Sequence, residues 1–284
     1  MDLGLQYELI QPEGVCTNRA ALVFHPWSWL GGSMWDPVVT SFTRAAVKSG
    51  LFSMVVRYNM RGTGKSAGFK SLSATTDAED ASKLCKHILT KMRERHSHYP
   101  EASPEDGSFH KGSPSGNGGS SSTNGSAVEQ EPQLVLLAYS YGSCVASHLL
   151  NLCPQVSVFV SVGYPLGMLS RFFLGSQSSW EALMEHGVRA GRPCLLFLGD
   201  QDQFTGVDTL QGLVDHEMRG NNAGGEANMS EDVATSSNTL KTQAENEKLL
   251  KLIIIPGCDH FFHGDLDEHV AEDTMKWLRE NCHV

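Results

Sequence analysis

No stretch of this 284-residue chain reaches the roughly 18 uninterrupted apolar residues of a membrane-spanning helix. Its start, MDLGLQYELIQPEG, lacks the basic segment followed by an apolar one that marks a secretory signal. The expectation is a soluble, cytoplasmic protein without a membrane span. Basic residues are scarce, 22 Lys and Arg against 32 Asp and Glu, for a net charge of -10. Nucleic-acid and anionic-membrane binders need a basic footprint, so neither partner is expected, and a small neutral or apolar substrate fits better. The 7 cysteines show no CxxC and no metal-ligand spacing. With an odd count and no secretion signal they do not make a disulfide framework, and most read as reduced core residues. No internal repeat is evident. What is present is a hydrophobic share of 40%, enough to build a core at this length.

Two segments break the pattern of a packed domain. Residues 98–130, HYPEASPEDGSFHKGSPSGNGGSSSTNGSAVEQ, replace nearly all aliphatic residues with Gly, Ser, Pro and Asn. They offer too little apolar surface to offset the entropy of ordering and are expected to be a disordered surface insertion. Residues 218–247 are likewise polar and expected to be a flexible insertion, although their end could extend a helix into Lys248. The remainder has the size of one α/β domain, which residues 1–284 are expected to form.

That remainder alternates short β-branched runs with helical patterns. Strands are predicted over residues 20–25 (AALVFH), 51–58 (LFSMVVRY), 133–138 (QLVLLA), 156–162 (VSVFVSV), 193–198 (PCLLFL) and 249–255 (LLKLIII). Several are continuously apolar, as strands covered on both faces are. Helices are predicted over residues 37–48, 77–93, 141–152, 180–186, 208–218 and 267–279. This order implies a mostly parallel, doubly wound sheet flanked by helices, with residues 5–11 adding an antiparallel edge.

In such sheets chemistry sits beyond the carboxyl ends of the strands. After QLVLLA comes Ser140, wedged between a strand and a helix, with Ala138 and Gly142 two positions to either side. That is the pattern of a nucleophile elbow, whose tight turn demands small neighbours and lifts the hydroxyl above the sheet. Read alone, the pentapeptide fits a helix-capping serine equally well. A serine nucleophile needs a base and an acid. The loop after PCLLFL carries Asp200 and Asp202, and the loop after LLKLIII carries His260. Ser, Asp, His is the chain order of the α/β-hydrolases.

The chain resembles the α/β-hydrolase superfamily, and within it the small dienelactone-hydrolase-like group. The likeness lies in HPWSWLGGSMWDPVV from His25, RYNMRGTGKSAG from Arg57, AYSYGS from Ala138 and GCDHFFHG from Gly257. It implies the α/β-hydrolase fold with Ser140, Asp202 and His260 as the catalytic triad, Asp202 being favoured over Asp200 by its distance from the preceding glycine. It also implies an oxyanion hole made by the N–H of Tyr141 and one from the loop after the first core strand. Pro26 has no N–H, which leaves Trp27 as the second donor.

Other motifs have plainer readings. Gly62 to Ser66 ends like a phosphate loop, but Asn59 stands where that pattern needs glycine, and a tight turn over the site edge fits better. His260 and His263 lie in a loop without an obvious third ligand, so no metal is expected, nor any cofactor. His263 reads as a hydrogen-bonded loop histidine, and Phe261 and Phe262 as packing residues. Cys144 and Cys258 flank the site motifs and read first as buried hydrophobes. Trp27, Trp29, Met34 and Trp35 either line an acyl or aromatic pocket or cover the sheet edge. The short stretch between residues 162 and 193 leaves no room for a large cap domain. The resulting expectation is a serine hydrolase, a carboxylic-ester hydrolase acting on small molecules. A thioesterase, a serine peptidase or acyl-peptide hydrolase, or an inactive binding scaffold are the alternatives.

Overall fold

The computed structural model describes residues 3–98, 131–168, 170, 174–220 and 249–282. Among the described residues seven strands, β1 (Tyr7–Ile10), β2 (Arg19–Phe24), β3 (Met54–Tyr58), β4 (Gln133–Tyr139), β5 (Val156–Val162), β6 (Cys194–Gly199) and β7 (Leu250–Ile255), form one sheet. Its order is β1-β3-β2-β4-β5-β6-β7. Only β1 runs antiparallel, paired with β3, and every other pair is parallel. Between and after the strands come α1 (Pro37–Lys48), α2 (Ala74–His98), α3 (Tyr141–Leu152), α4 (Ser176–Leu183), α5 (Val207–Gly220) and α6 (Leu266–Asn281).

The continuous apolar runs are explained by two cores, one on each face. Along β4, Leu134, Leu136 and Ala138 pack on one side, and Val135, Leu137 and Tyr139 on the other. This is the two-residue period of a strand covered twice. The first core takes Ala78, Ala81, Leu84 and Ile88 from α2, with α3, α4 and α5. The second takes Val38, Val39 and Phe42 from α1 and Val270, Ala271 and Met275 from α6. α1 starts where Asp36 accepts the Val38 N–H at 3.1 Å, with Pro37 in the first turn.

The departures from expectation sit at element ends. α2 continues to His98, the residue at which the first insertion was expected to begin, and residues 99–130 lie outside the described residues. α5 runs to Gly220, two residues past the expected helix end at Met218, where the second insertion was expected to begin; residues 221–248 again lie outside the described residues. Met218 sits on the apolar face of that helix, packed against the first core, which extends the helix past the change in composition. The helix expected over residues 180–186 starts at Ser176 and passes into a π-helical turn, Met184–Val188. The run at residues 51–58 is strand only from Met54, because Ser53 already bonds back to Arg19 through its N–H and hydroxyl. Among the described residues no helix is long and apolar enough to cross a membrane.

α1 leaves β2 toward one face and α3 leaves β4 toward the other, which opens a crevice between their carboxyl ends. Leu136, wholly buried at the centre of β4, measures how tightly the sheet beneath it is packed. Leu136→Ala should cost about 2–5 kcal/mol in urea unfolding, and a loss below about 1 kcal/mol would contradict that packing.

Candidate active site

Ser140 is the single residue between β4 and α3, with φ 53 and ψ -124. Among the described residues only Phe262 shares a positive φ without being glycine. Such a conformation costs about 1–3 kcal/mol and survives only where the surroundings enforce it. Here the Ser140 N–H donates to the Val162 carbonyl at 2.9 Å, and the Ser140 carbonyl accepts the Ser143 N–H at 2.8 Å. α3 lies so close to β2 that a Cβ on Gly142 would stand 2.7 Å from the His25 carbonyl oxygen. The Ser140 side chain does not cap α3, so the capping alternative is not what the geometry contains. Instead its hydroxyl donates to His260 Nε2 at 2.9 Å.

His260 is buried in the loop after β7, and its Nδ1 donates to Asp202 Oδ2 at 2.7 Å. The partners fix the tautomer, because an ionised carboxylate only accepts. Asp202 Oδ1 accepts the N–H groups of Phe204 and Thr205 at 2.8 and 2.9 Å. It is Asp202, therefore, that meets the imidazole. Asp200 accepts the Gly257 N–H at 2.7 Å and ties together the loops after β6 and β7. The backbone of His260 is held as well: its carbonyl accepts from the Tyr139 hydroxyl at 3.0 Å and its N–H donates to Gln203 Oε1 at 3.2 Å. The Phe204 ring lies 4.4 Å from the imidazole, centre to centre. On the remaining side, Gly163 at φ 61 leaves room for the ring, since a Cβ there would come within 3.1 Å of His260 Cε1.

Across the crevice, Trp27 opens the loop after β2. Tyr141 is the first residue of α3, so its N–H has no acceptor within the helix. The two rings lie 6.5 Å apart, which brings together the two residues expected to supply oxyanion donors. Trp27 Nε1 is buried without a partner among the described residues. The Tyr141 hydroxyl donates to Asp77 Oδ2 at 2.8 Å. Burial pushes the Asp77 carboxyl up to about 6, against the lowering effects of that bond and of Arg61. Asp36 is also pushed up to about 6, mainly by burial and in part by Asp267, while His260 draws it down.

His25 has a role that its place in a motif did not reveal. It is fully buried, and burial lowers its pKa to about 4. Its neutral ring donates from Nδ1 to the Pro26 carbonyl at 2.6 Å and accepts the Met60 N–H on Nε2 at 2.9 Å. It welds the loop after β2 to the loop after β3. Asn59, which broke the phosphate-loop pattern, accepts the Met34 N–H and donates to Gln6. No helix follows Ser66 until Ala74, so the strand-loop-helix context of a phosphate loop is missing.

Of the remaining motifs, His263 accepts its expected place, bonded to Asp259 at 2.8 Å on the surface. Phe262 is packed against Tyr139, but Phe261 is half exposed beside Phe204 and His260. It belongs to the mouth of the site and not to the core, because adjacent residues of this loop point to opposite sides. Met34 is buried, Trp29 is exposed, and Trp35 lies under the Arg57 guanidinium at 4.2 Å. The tryptophans thus divide between the crevice and the sheet edge. Cys144 and Cys258 are buried, and burial pushes their thiols up to about 12 and about 11, which makes both weak nucleophiles.

No protein-family profile and no curated protein matches the chain. Solved structures do. An α/β serine hydrolase homologue from Coxiella burnetii is 19% identical with a TM-score of 0.56, covering 95% of this chain and 91% of that one. An α/β serine hydrolase without a lid from Xanthomonas campestris is 18% identical at TM-score 0.60, covering 97% and 88%. The esterase domain of a Rhodothermus marinus protein is 15% identical at TM-score 0.55, covering 97% and 92%. The chain has the α/β-hydrolase fold. Between β5 and β6 the described residues include α4 and its π-turn.

The raised Asp77 carboxyl makes stability depend on pH. Its folded pKa of about 6 exceeds the ordinary 3.8, so its contribution is full below pH 3.8 and is lost as pH rises through 6. Between pH 4 and pH 8, wild type should lose up to about 3 kcal/mol of unfolding free energy relative to Asp77→Asn. Parallel pH profiles for the two proteins would show that Asp77 ionises as freely as in water.

Proposed function

We propose that this protein is a serine hydrolase that cleaves carboxylic esters of small molecules by acyl transfer. The observation that carries the reading is the unbroken hydrogen-bond chain from Ser140 through His260 to Asp202, at 2.9 and 2.7 Å. In this reading Ser140 Oγ attacks the ester carbonyl as its proton passes to His260 Nε2. Asp202 holds the Nδ1–H tautomer and stabilises the positive imidazolium. The N–H groups of Trp27 and Tyr141 receive the oxyanion of the tetrahedral intermediate. His260 then gives its proton to the departing alkoxide, and water repeats the sequence on the acyl-enzyme. Residues that touch no substrate support the same reading: Tyr139 and Gln203 grip the His260 backbone, and Gly163 leaves space for its ring.

One structural neighbour is an esterase domain, which is in keeping with the ester reading. No carboxylate or pocket for a peptide terminus stands out among the described residues. A binding scaffold would have no need of hydroxyl, imidazole and carboxylate in register with a strained serine.

Ser140→Ala should abolish labelling by a fluorophosphonate and lower ester turnover by about 10⁴-fold or more with the fold intact. Undiminished labelling would refute the nucleophile, and absence of both labelling and turnover in wild type on esters, thioesters and aminoacyl substrates would favour the scaffold. Gly163→Ala should lower kcat by about tenfold or more with KM little changed, because it displaces the imidazole and not the substrate. An unaltered kcat would remove the positioning role given to Gly163.

A further inference from the structure

Several of the exposed apolar side chains of this protein gather at one edge of the sheet, while others, such as Leu152 at the far end of α3, stand apart. Among the described residues, large hydrophobics that face solvent include Trp29 and Leu30 after β2, Phe69 and Leu72 after β3, and Phe261 after β7. All lie beyond the carboxyl ends of the strands, on the side of the sheet that carries Ser140. Phe69 is 92% exposed and Leu72 60%. Grouped apolar exposure of this kind marks a surface that meets something apolar.

The loops that present Trp29, Leu30, Phe69 and Leu72 are braced together. Thr63 Oγ1 donates to Ser28 Oγ at 2.8 Å, Lys70 Nζ donates to the Ser28 carbonyl at 2.8 Å, and Trp29 Nε1 donates to the Ser71 carbonyl at 3.2 Å. The apolar surface is therefore held in place by polar bonds beneath it. It begins two residues from Trp27, at the edge of the crevice.

Strand order decides which part of an ester lies there, given the acyl-transfer reading on which this step rests. β6 and β7, which carry Asp202 and His260, lie on one side of β4; β2 and β3 lie on the other. His260 must reach the leaving oxygen to protonate it, so the leaving group lies on the β6–β7 side, beside Phe204 and Phe261. The acyl chain diverges from the leaving oxygen at the carbonyl carbon, so it lies away from His260, on the side of the loops after β2 and β3. We propose that Trp29, Leu30, Phe69 and Leu72 form an open platform for the acyl chain, and that the preferred substrates are esters of medium- to long-chain acids. A crevice without a large cap suits a chain that lies along a surface and is not enclosed.

The test is kcat/KM on p-nitrophenyl acetate, butyrate and octanoate below their aggregation concentrations, which keeps the leaving group constant. Octanoate should exceed acetate by about tenfold or more, since each methylene laid on the platform leaves water. Phe69→Ser combined with Leu72→Ser, two side chains that make little of the fold, should bring that ratio toward parity. Leu152→Ser, at the far end of α3, should keep the wild-type ratio. A flat profile in a wild type that turns over acetate overturns the platform and leaves the hydrolase reading standing, as does a ratio that survives the double variant. Turnover of no ester overturns both.

Discussion

A serine at φ 53 and ψ -124 does not hold that conformation by itself, and the geometry of the crevice depends on its being held. Two backbone bonds, one from β5 and one within the first turn of α3, enforce it. Close contact between α3 and the end of β2 leaves no alternative path for the chain, and Gly142 makes that contact possible. Because the turn is so tight, the hydroxyl cannot reach back to cap the helix and is left facing His260. A relaxed turn would let the serine cap α3 and remove it from the imidazole. The strain and the hydrogen-bond chain are thus two aspects of one packing arrangement.

The loops that meet at this point are braced by side-chain bonds to backbone. Asp200 ties the loops after β6 and β7, and His25 and Asn59 tie those after β2 and β3. Buried polar groups at strand ends must be paired, and here the pairing rigidifies the rim of the crevice. His25 does this as a neutral ring, since burial lowers its pKa to about 4; charging it would break its acceptor bond to Met60.

Two carboxyls near the site work against stability at neutral pH. Asp77 and Asp36 are both pushed up to about 6 by burial. Asp77 holds the hydroxyl of Tyr141, and Asp36 starts α1 at the opposite wall. Each orients an element that borders the crevice, which places a local cost beside the proposed reaction centre while the apolar cores lie deeper in the sheet.

Much of this was legible in the sequence, because local physics governs it. Continuous apolar runs showed that the strands are buried on both faces, and the helical pattern over residues 37–48 matches α1 at both ends. The small neighbours of Ser140 and the order Ser, Asp, His after successive strands indicated which loops would meet. The ends of α2 and α5 were less legible, since helices there outlast the change in composition. Composition could not choose between Asp200 and Asp202, two residues apart in one loop; only the path of the chain turns one toward Gly257 and the other toward His260. Nor could it say that Phe261 faces the crevice while Phe262 packs inward. Sequence by itself determined which residue types lie at the carboxyl ends of the strands, through periodicity and local chain order. Tertiary structure alone decided which of them touch, because a hydrogen bond between residues 120 positions apart depends on how the sheet brings distant loops to one edge.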